Sequence, residues 1–201
     1  YLGDRLSRRT LIAAGVFVWS LGTLLSGYGG TLGALIFFRV LVGFGEASFG
    51  TISPGWIADL FPAARRNNAI SIFYLAIPVG SALGYILGGF MAARYGWRSA
   101  FLWMALPGLL AAFLLRFSGV EPQRGQWQSS DNPYTPAPAE PLANLIKDLW
   151  ASPAFTRITL ASILMGFTGY GIGIWTPAFL VRSHGMSLQG AGIVMGLLGG
   201  F

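Results

Sequence analysis

The sequence has no cysteine and only one histidine. The absence of thiols excludes disulfides, thiolate metal sites and cysteine nucleophiles. The one histidine, His184, has no acid, serine or second histidine placed to form a catalytic set with it. We therefore interpret His184 as a solvated loop residue. The sequence favours neither an enzyme nor a protein that carries a metal or another cofactor.

Charged residues are also scarce. They make up 10% of the chain, against about 25% in typical soluble domains, whereas hydrophobic residues make up 54%. A helix needs about 20 apolar residues to cross a membrane. Five apolar segments have about this length, at residues 10–28, 31–57, 69–92, 99–117 and 156–181. A sixth apolar segment begins at residue 187 and runs to the chain end. The sequence therefore predicts an all-α membrane protein, and we expect a fragment of a longer chain because the last apolar run is cut short.

The basic residues indicate how these helices are oriented. A net charge of +6 could suggest a nucleic-acid partner, but nine basic residues fall on one side of the alternating helices and three on the other. By the positive-inside rule, the side with nine is cytoplasmic. We therefore expect the lipid bilayer as a partner and no nucleic acid. The nine are Arg5, Arg8, Arg9, Arg65, Arg66, Arg116, Arg124, Lys147 and Arg157, and the three are Arg94, Arg98 and Arg182.

A polar segment divides the chain into two helical domains. Residues 118–155 contain EPQRGQWQSSDNPYTPAPAEP, a composition typical of a flexible linker. The same segment then contains LANLIKDLW, whose apolar residues follow helical spacing and predict an amphipathic helix on the cytoplasmic membrane surface. We expect a first domain at 1–117, this cytoplasmic linker, and a second domain at 156–201.

Two opposite charges stand inside the second apolar segment, in RVLVGFGEA. Arg39 and Glu46 are seven residues apart and share one helix face with Gly43, Gly50 and Ser53. A charge at the bilayer centre costs about 2.5–3.5 kcal/mol on insertion scales, so this face is expected to line the protein interior or a wet cavity. A structural ion pair would explain both charges. The functional alternative is that Arg39 binds an anionic substrate group, whereupon Glu46 takes up a proton.

Small and aromatic residues supply further candidates. Ala76, Gly80, Gly84 and Gly88 recur every four residues, which predicts a seam for close helix packing. Prolines at 54, 78, 107 and 177 predict kinks in four helices. Aromatic side chains could line a path for an acyl tail, although aromatics in membrane helices are as often packing or lipid-facing residues. The candidates are Phe73, Tyr74, Tyr85, Tyr170 and Trp175.

Three motifs resemble those of the major facilitator superfamily. YLGDRLSRR resembles the loop between its second and third helices, with matches at Leu2, Asp4, Arg5, Arg8 and Arg9. RVLVGFGEA resembles its fourth helix and YGWRSAF the start of its sixth. Within the superfamily, VGFGEASFGTISPGWIADLF and SIFYLAIPVGSALGYILGG are similar to the Spinster-like lipid transporters. The organic anion symporters share the GFGEA pattern and remain the alternative.

The resemblance implies twelve helices in two six-helix bundles, of which this chain would carry helices 3–7 and the start of helix 8. It also implies secondary active transport by alternating access, coupled to protons, of a lysolipid or sphingolipid-like amphiphile. The alternative substrate is an organic anion, such as a sugar acid or carboxylate, moved together with protons. A membrane channel is the alternative of another class.

By the same resemblance, each candidate residue has a role. Glu46 would carry the proton, and substrate would bind at Arg39, Phe73, Tyr74, Tyr170 and Trp175. The resemblance further implies a cytoplasmic gate made by Asp4, Arg5, Arg9, Asp59, Arg65 and Arg66. The protein is expected to be a monomer in the inner membrane of a bacterium.

Overall fold

The structure is a computed structural model that describes Gly3, residues 6–127 and residues 141–198. This part of the chain contains seven helices and no β-strand. The helices are α1 (Arg8–Tyr28), α2 (Leu32–Leu60), α3 (Ala63–Tyr95), α4 (Trp97–Ser118), α5 (Leu142–Ala151), α6 (Pro153–His184) and α7 (Leu188–Leu198). The predicted all-α fold is confirmed.

Five of the described helices are long and apolar enough to cross a membrane, namely α1, α2, α3, α4 and α6. They coincide with the five complete apolar segments and extend each of them at one or both ends. α2, α3, α4 and α6 each continue past an internal proline. Neighbouring helices and polar side chains in a membrane bundle can satisfy the backbone groups that a proline frees. The four predicted kinks stay a prediction.

Local sequence explains where the helices begin and end. Ser7 and Thr31 cap α1 and α2, because each side-chain oxygen accepts a hydrogen bond at 3.2 Å from the backbone amide three residues later. Gly96, with φ at 84°, separates α3 from α4, and Gly185, with φ at 64°, ends α6. Both glycines adopt backbone conformations that side chains disfavour.

α1 packs between α2 and α4. Its crossing with α2 depends on two buried glycines, Gly15 and Gly45. A methyl group built on Gly45 would lie 2.7 Å from the backbone nitrogen of Trp19. Ile12 of α1 packs in a buried apolar cluster with Ala112 of α4. Small residues at the first crossing let the two backbones approach closely, which is how helices in lipid gain packing energy.

α3 meets α7 at a second glycine crossing. A methyl group on Gly89 would lie 3.1 Å from the Cα of Gly192. By contrast, methyl groups on Gly80, Gly84 or Gly88 would meet no atom within 4 Å among the described residues. One residue corresponds to about 100° of helix rotation, so this contact uses a different face from the predicted seam. Packing at Gly80, Gly84 and Gly88 stays a prediction.

The predicted linker contains a helix and a docked segment. The amphipathic helix is present as α5, and the ring centre of Trp150 at its end lies 5.8 Å from that of Phe155 in α6. Residues 119–127 lie against the start of α1 and the end of α2 through hydrogen bonds. This part of the linker is therefore not free. Residues 128–140 lie outside the described residues.

Candidate functional site

Arg39, near the start of α2, reaches across to α1 and α4. Its Nη2 donates a hydrogen bond to the Oγ of Ser26, 3.0 Å away. Its guanidinium carbon lies 4.9 Å from the ring centre of Phe101. The Ser26 hydroxyl donates in turn to the Gly22 carbonyl at 2.8 Å. Arg39 is thus held by a neutral hydroxyl and an aromatic face, neither of which neutralises its positive charge.

Glu46 lies two turns further along α2, and its side chain is exposed. The described residues show no direct ion pair between Glu46 and Arg39, although the two charges interact through space. Methyl groups on Gly43 or Gly50, which share this face, would meet nothing within 4 Å in the described part of the chain. The face of α2 that carries the two charges is therefore left open by the described helices.

Contrary to the expectation from the sequence, Ser53 does not lie on this open face. It is 2% exposed and lines a cavity of about 580 Å³ between α1, α2, α3 and α4. Ser53 points within about 20° of Glu46 on a straight helix, so its burial comes from the parts of α1, α3 and α4 that surround this level of α2. The Ser53 hydroxyl and the indole nitrogen of Trp56 in the same wall have no hydrogen-bond partner among the described residues. The rest of the wall is mainly apolar and includes Phe49 and Phe73.

The four aromatic residues assigned to substrate binding, Phe73, Tyr74, Tyr170 and Trp175, fall into two separate groups. The ring centre of Phe73 lies 5.3 Å from that of Tyr74 on α3. Tyr170 and Trp175 lie on α6 and are strongly exposed. Within residues 6–127 and 141–198, no ring contact joins the two groups, and the aromatic partner of Arg39 is Phe101 rather than any of the four. Their roles in substrate binding stay predictions.

Asp59, in the last turn of α2, forms an ion pair with Arg8. The Arg8 Nη1 lies 2.6 Å from the Asp59 Oδ2. Arg9 has a different partner, because its Nη1 donates to the Gly119 carbonyl at the end of α4 over 2.8 Å. The two neighbouring arginines therefore tie the start of α1 to two different helices.

Among the described residues, neither Arg65 nor Arg66 forms an ion pair with Asp59. Arg65, in the first turn of α3, is exposed. The Nε of Arg66 is buried without a hydrogen-bond partner in the described part of the chain. Asp4 and Arg5 lie outside the described residues. The assignment of these residues and Arg9 to a gate stays a prediction.

Glu121 has a role that no motif in the sequence predicted. Its carboxylate accepts hydrogen bonds from the Ser7 hydroxyl at 2.5 Å and from the backbone amides of Arg8 and Arg9 at 3.0 Å each. These amides open α1, where unpaired N–H groups and the helix dipole favour a negative charge. Glu121 therefore fastens the chain after α4 to the first turn of α1.

The residues after Glu121 extend this attachment. Arg124 donates to two backbone carbonyls just before α1, at 3.1 Å and 2.8 Å. The Gly125 amide donates to the Asp59 Oδ1 at 3.1 Å, and the Gln126 side chain donates to the Asp59 carbonyl. The only signal in the sequence was the run EPQRG, in which opposite charges follow directly on a predicted helix end.

The contacts of Glu121 change its acidity. Burial raises the pKa of this carboxyl, but hydrogen bonds from Ser7 and from the amides of Arg9 and Arg8, together with the positive charge of Arg9, outweigh burial. The net result is a pKa below the ordinary value for glutamate. The ionised form of Glu121 is therefore the one that holds the docked segment in place.

Comparison with known families identifies the class of this protein. The Major Facilitator Superfamily matches residues 1–201. The chain therefore belongs to this superfamily and is part of an integral membrane protein, in agreement with its five membrane-length helices.

Individual relatives show which members of the superfamily this chain is similar to. The chain is 40% identical to Protein spinster homolog 1 of Xenopus laevis over 188 residues, which are 92% of this chain and 35% of that protein. It is 38% identical to the Sphingosine-1-phosphate transporter SPNS2 of Danio rerio over 190 residues, or 92% of this chain and 37% of that protein. The predicted resemblance to Spinster-like proteins is confirmed. The chain spans little more than a third of these relatives.

A solved structure shows the same similarity. A bacterial homolog of the human lysosomal transporter Spinster, in an inward-facing and unoccupied conformation, matches with a TM-score of 0.77 and 29% identity. The match covers 96% of this chain and 46% of that one. A second structure with the same description, but in the inward-facing and occupied conformation, matches with a TM-score of 0.75 and 27% identity. This match covers 96% of this chain and 44% of that one.

Proposed function

We propose that the protein is a secondary active transporter in which two helical bundles alternate access to a central site. The observation that carries this proposal is the uncovered face of α2 with Arg39, Gly43, Glu46 and Gly50. Ionisable side chains within membrane helices are costly in lipid and mark substrate or ion pathways. Membership of the superfamily and similarity to Spinster proteins support a carrier over an enzyme or a channel.

The substrate we propose is a lysolipid or a sphingolipid-like amphiphile. One relative is named for the transport of sphingosine-1-phosphate, which has an anionic head and an apolar tail. Arg39 suits the head, because its planar guanidinium can donate two hydrogen bonds and its charge has no carboxylate pair among the described residues. Phe73 and Tyr74 on α3, with Tyr170 and Trp175 on α6, suit the tail.

We propose that Glu46 couples transport to protons. Its charge acts on Arg39 through space, and no contact fixes it there within the described residues. When an anionic head group occupies Arg39, Glu46 loses part of its counter-charge and accepts a proton more easily. Substrate and carboxylate would thus compete for one arginine, which links substrate binding to proton uptake.

The proposal also includes an orientation and a gate. The docked segment 119–127 and α5 would face the cytoplasm, and the protein would act as a monomer in a bacterial inner membrane. Similarity to a bacterial homolog supports this location. The gate would form where α1 begins and α2 ends, close to the observed pair of Arg8 and Asp59. Its proposed residues are Asp4, Arg5, Arg9, Asp59, Arg65 and Arg66.

Flux measurements on the full-length protein in proteoliposomes test this function. Glu46→Gln should abolish transport driven by a pH gradient while substrate exchange continues, and Glu46→Asp, which keeps a carboxyl group, should retain coupling. Arg39→Ala should weaken binding of an anionic lysolipid by about 10-fold to 100-fold, the range expected for lost charge-assisted hydrogen bonds. A neutral analogue should lose much less.

Three results would overturn parts of the proposal. Unchanged proton coupling in Glu46→Gln would remove the role of that carboxyl. Equal losses for anionic and neutral ligands in Arg39→Ala would make Arg39 structural. Flux that never saturates would indicate a channel, whereas stabilisation by sugar acids and not by lysolipids would favour an organic anion symporter.

A further inference from the structure

A groove between α1 and α4 is separate from the open face of α2. It has a volume of about 470 Å³ and is lined by the first half of α1 and the second half of α4. Three of its side chains are Phe17, Phe113 and Phe117, which are 49%, 59% and 69% exposed. The last two have ring centres 4.5 Å apart. The groove contains none of the residues proposed for transport.

One cation in the lining has no counter-charge among the described residues. Arg116 lies in the last turn of α4 and is exposed. Its guanidinium carbon is 5.7 Å from the ring centre of Phe117. In the part of the chain that the structure describes, Arg116 forms neither an ion pair nor a hydrogen bond. Glu121, the acidic group at this end of α1, is already engaged by Ser7 and two backbone amides.

The position of the groove matches one leaflet of a bilayer. Its lining on α1 runs from Thr10 to Phe17, which at about 1.5 Å per residue is a length of about 10 Å. One leaflet contributes about 15 Å to a hydrocarbon layer of about 30 Å. Arg116 stands at the end of α4 that the positive-inside rule places in the cytoplasm. The groove therefore starts at the level of the head groups and continues among the acyl chains.

We propose that this groove binds an anionic diacyl phospholipid of the cytoplasmic leaflet. One acyl chain lies along Phe17 and Phe113, and the phosphate meets Arg116. The occupant follows from charge complementarity, because an apolar helix would leave this arginine unpaired, whereas a phosphate accepts its hydrogen bonds. Basic pockets between membrane helices on the cytoplasmic side are known to take anionic head groups. Such a lipid would bridge α1 and α4 without being transported.

Photolabelling of the full-length protein in nanodiscs tests the site. The probes are phosphatidylglycerol and phosphatidylcholine, each with a diazirine in one acyl chain, and labelled peptides are mapped by mass spectrometry. Phosphatidylglycerol should label residues 10–17 and 109–117 more strongly than phosphatidylcholine does. Arg116→Gln should lower this labelling about fivefold, the effect of about one charge near an anionic surface.

Two further variants separate charge from shape. Arg157→Gln removes an exposed cation at the start of α6, on the same predicted side, and should leave the labelling unchanged. Ala14→Trp should fill the groove and reduce labelling by both lipids. If this variant fails to fold, the comparison of Arg116→Gln with Arg157→Gln tests the proposal. Equal labelling by both probes, equal effects of the two arginine variants, or no label in either range would overturn the proposal. The last result would mean that another part of the protein covers the groove. None of these readouts depends on transport activity.

Discussion

Replacing Gly45 by alanine should destabilise the protein, whereas replacing Gly43 in the same helix should not. A methyl group at Gly45 would lie 2.7 Å from the backbone nitrogen of Trp19 and 2.8 Å from its Cβ, and closer still to the Gly15 carbonyl. These neighbours are mainly backbone atoms of α1, so they cannot move aside as a flexible side chain would. A methyl group at Gly43 would meet nothing within 4 Å among the described residues.

The magnitudes follow from these surroundings. Overpacking a tight contact costs about 1–3 kcal/mol, and at Gly45 this cost exceeds the gain of about 0.5–1 kcal/mol from replacing glycine by alanine inside a helix. Gly43 should show only the gain. The two variants should therefore differ in unfolding free energy by about 1–3 kcal/mol, although each adds the same methyl group. The cause of the difference would be the crossing of α1 and α2.

Thermal unfolding of the full-length protein in detergent measures this difference. The expected order of midpoints is Gly43→Ala at or above the wild type, and Gly45→Ala clearly below both. The reasoning would be refuted if Gly45→Ala unfolds with the wild type, because α1 and α2 would then not be in backbone contact. The reasoning would also be contradicted if Gly43→Ala lost as much stability as Gly45→Ala, because the face of α2 that carries Gly43 would then be covered.

Two further predictions concern the docked segment and the contact between α3 and α6. Because the pKa of Glu121 is lowered in the folded state, its contribution to stability is fully present above the ordinary glutamate pKa of about 4.3 and is lost as the pH falls through the lower, folded value. The stability advantage of the wild type over Glu121→Gln should therefore shrink as the pH falls below about 4.3, and an advantage independent of pH would rule out this role. Tyr85→Phe removes the 3.2 Å hydrogen bond from the Tyr85 hydroxyl to the Gly173 carbonyl and should lower the unfolding free energy by about 0.5–1.5 kcal/mol. The control Tyr95→Phe, at an exposed tyrosine, should have no such effect, and equal results for the two variants would count against a tie between α3 and α6.

The helices could be predicted because long apolar runs and scarce charges are local properties of the sequence. The same holds for Arg39 and Glu46, since a spacing of seven residues places two side chains on one helix face whatever surrounds them. By contrast, the face of a helix that contacts a neighbouring helix is decided by tertiary packing. The four-residue spacing therefore predicted close helix packing at Gly88, whereas the close approach to α7 occurs at Gly89.

The docked segment could not be predicted for a related reason. Its polar composition is compatible with a free linker, and only the position of the first α1 amides turns Glu121 into a cap for that helix. Likewise, Arg8 rather than Arg65 or Arg66 pairs with Asp59, because the start of α1 lies beside the end of α2. These contacts join residues more than 50 positions apart, so no local pattern encodes them.

The most direct measurement is the water accessibility of two neighbouring positions on α2 in the membrane. Glu46→Cys and Phe44→Cys would be introduced one at a time into full-length protein without other cysteines, and reacted with a membrane-impermeant thiol reagent. We predict rapid labelling at position 46, on the face shared with Arg39, and protection at position 44, which points elsewhere on the helix. Protection at position 46 equal to that at position 44 would contradict the claim that Arg39 and Glu46 face a hydrated cavity.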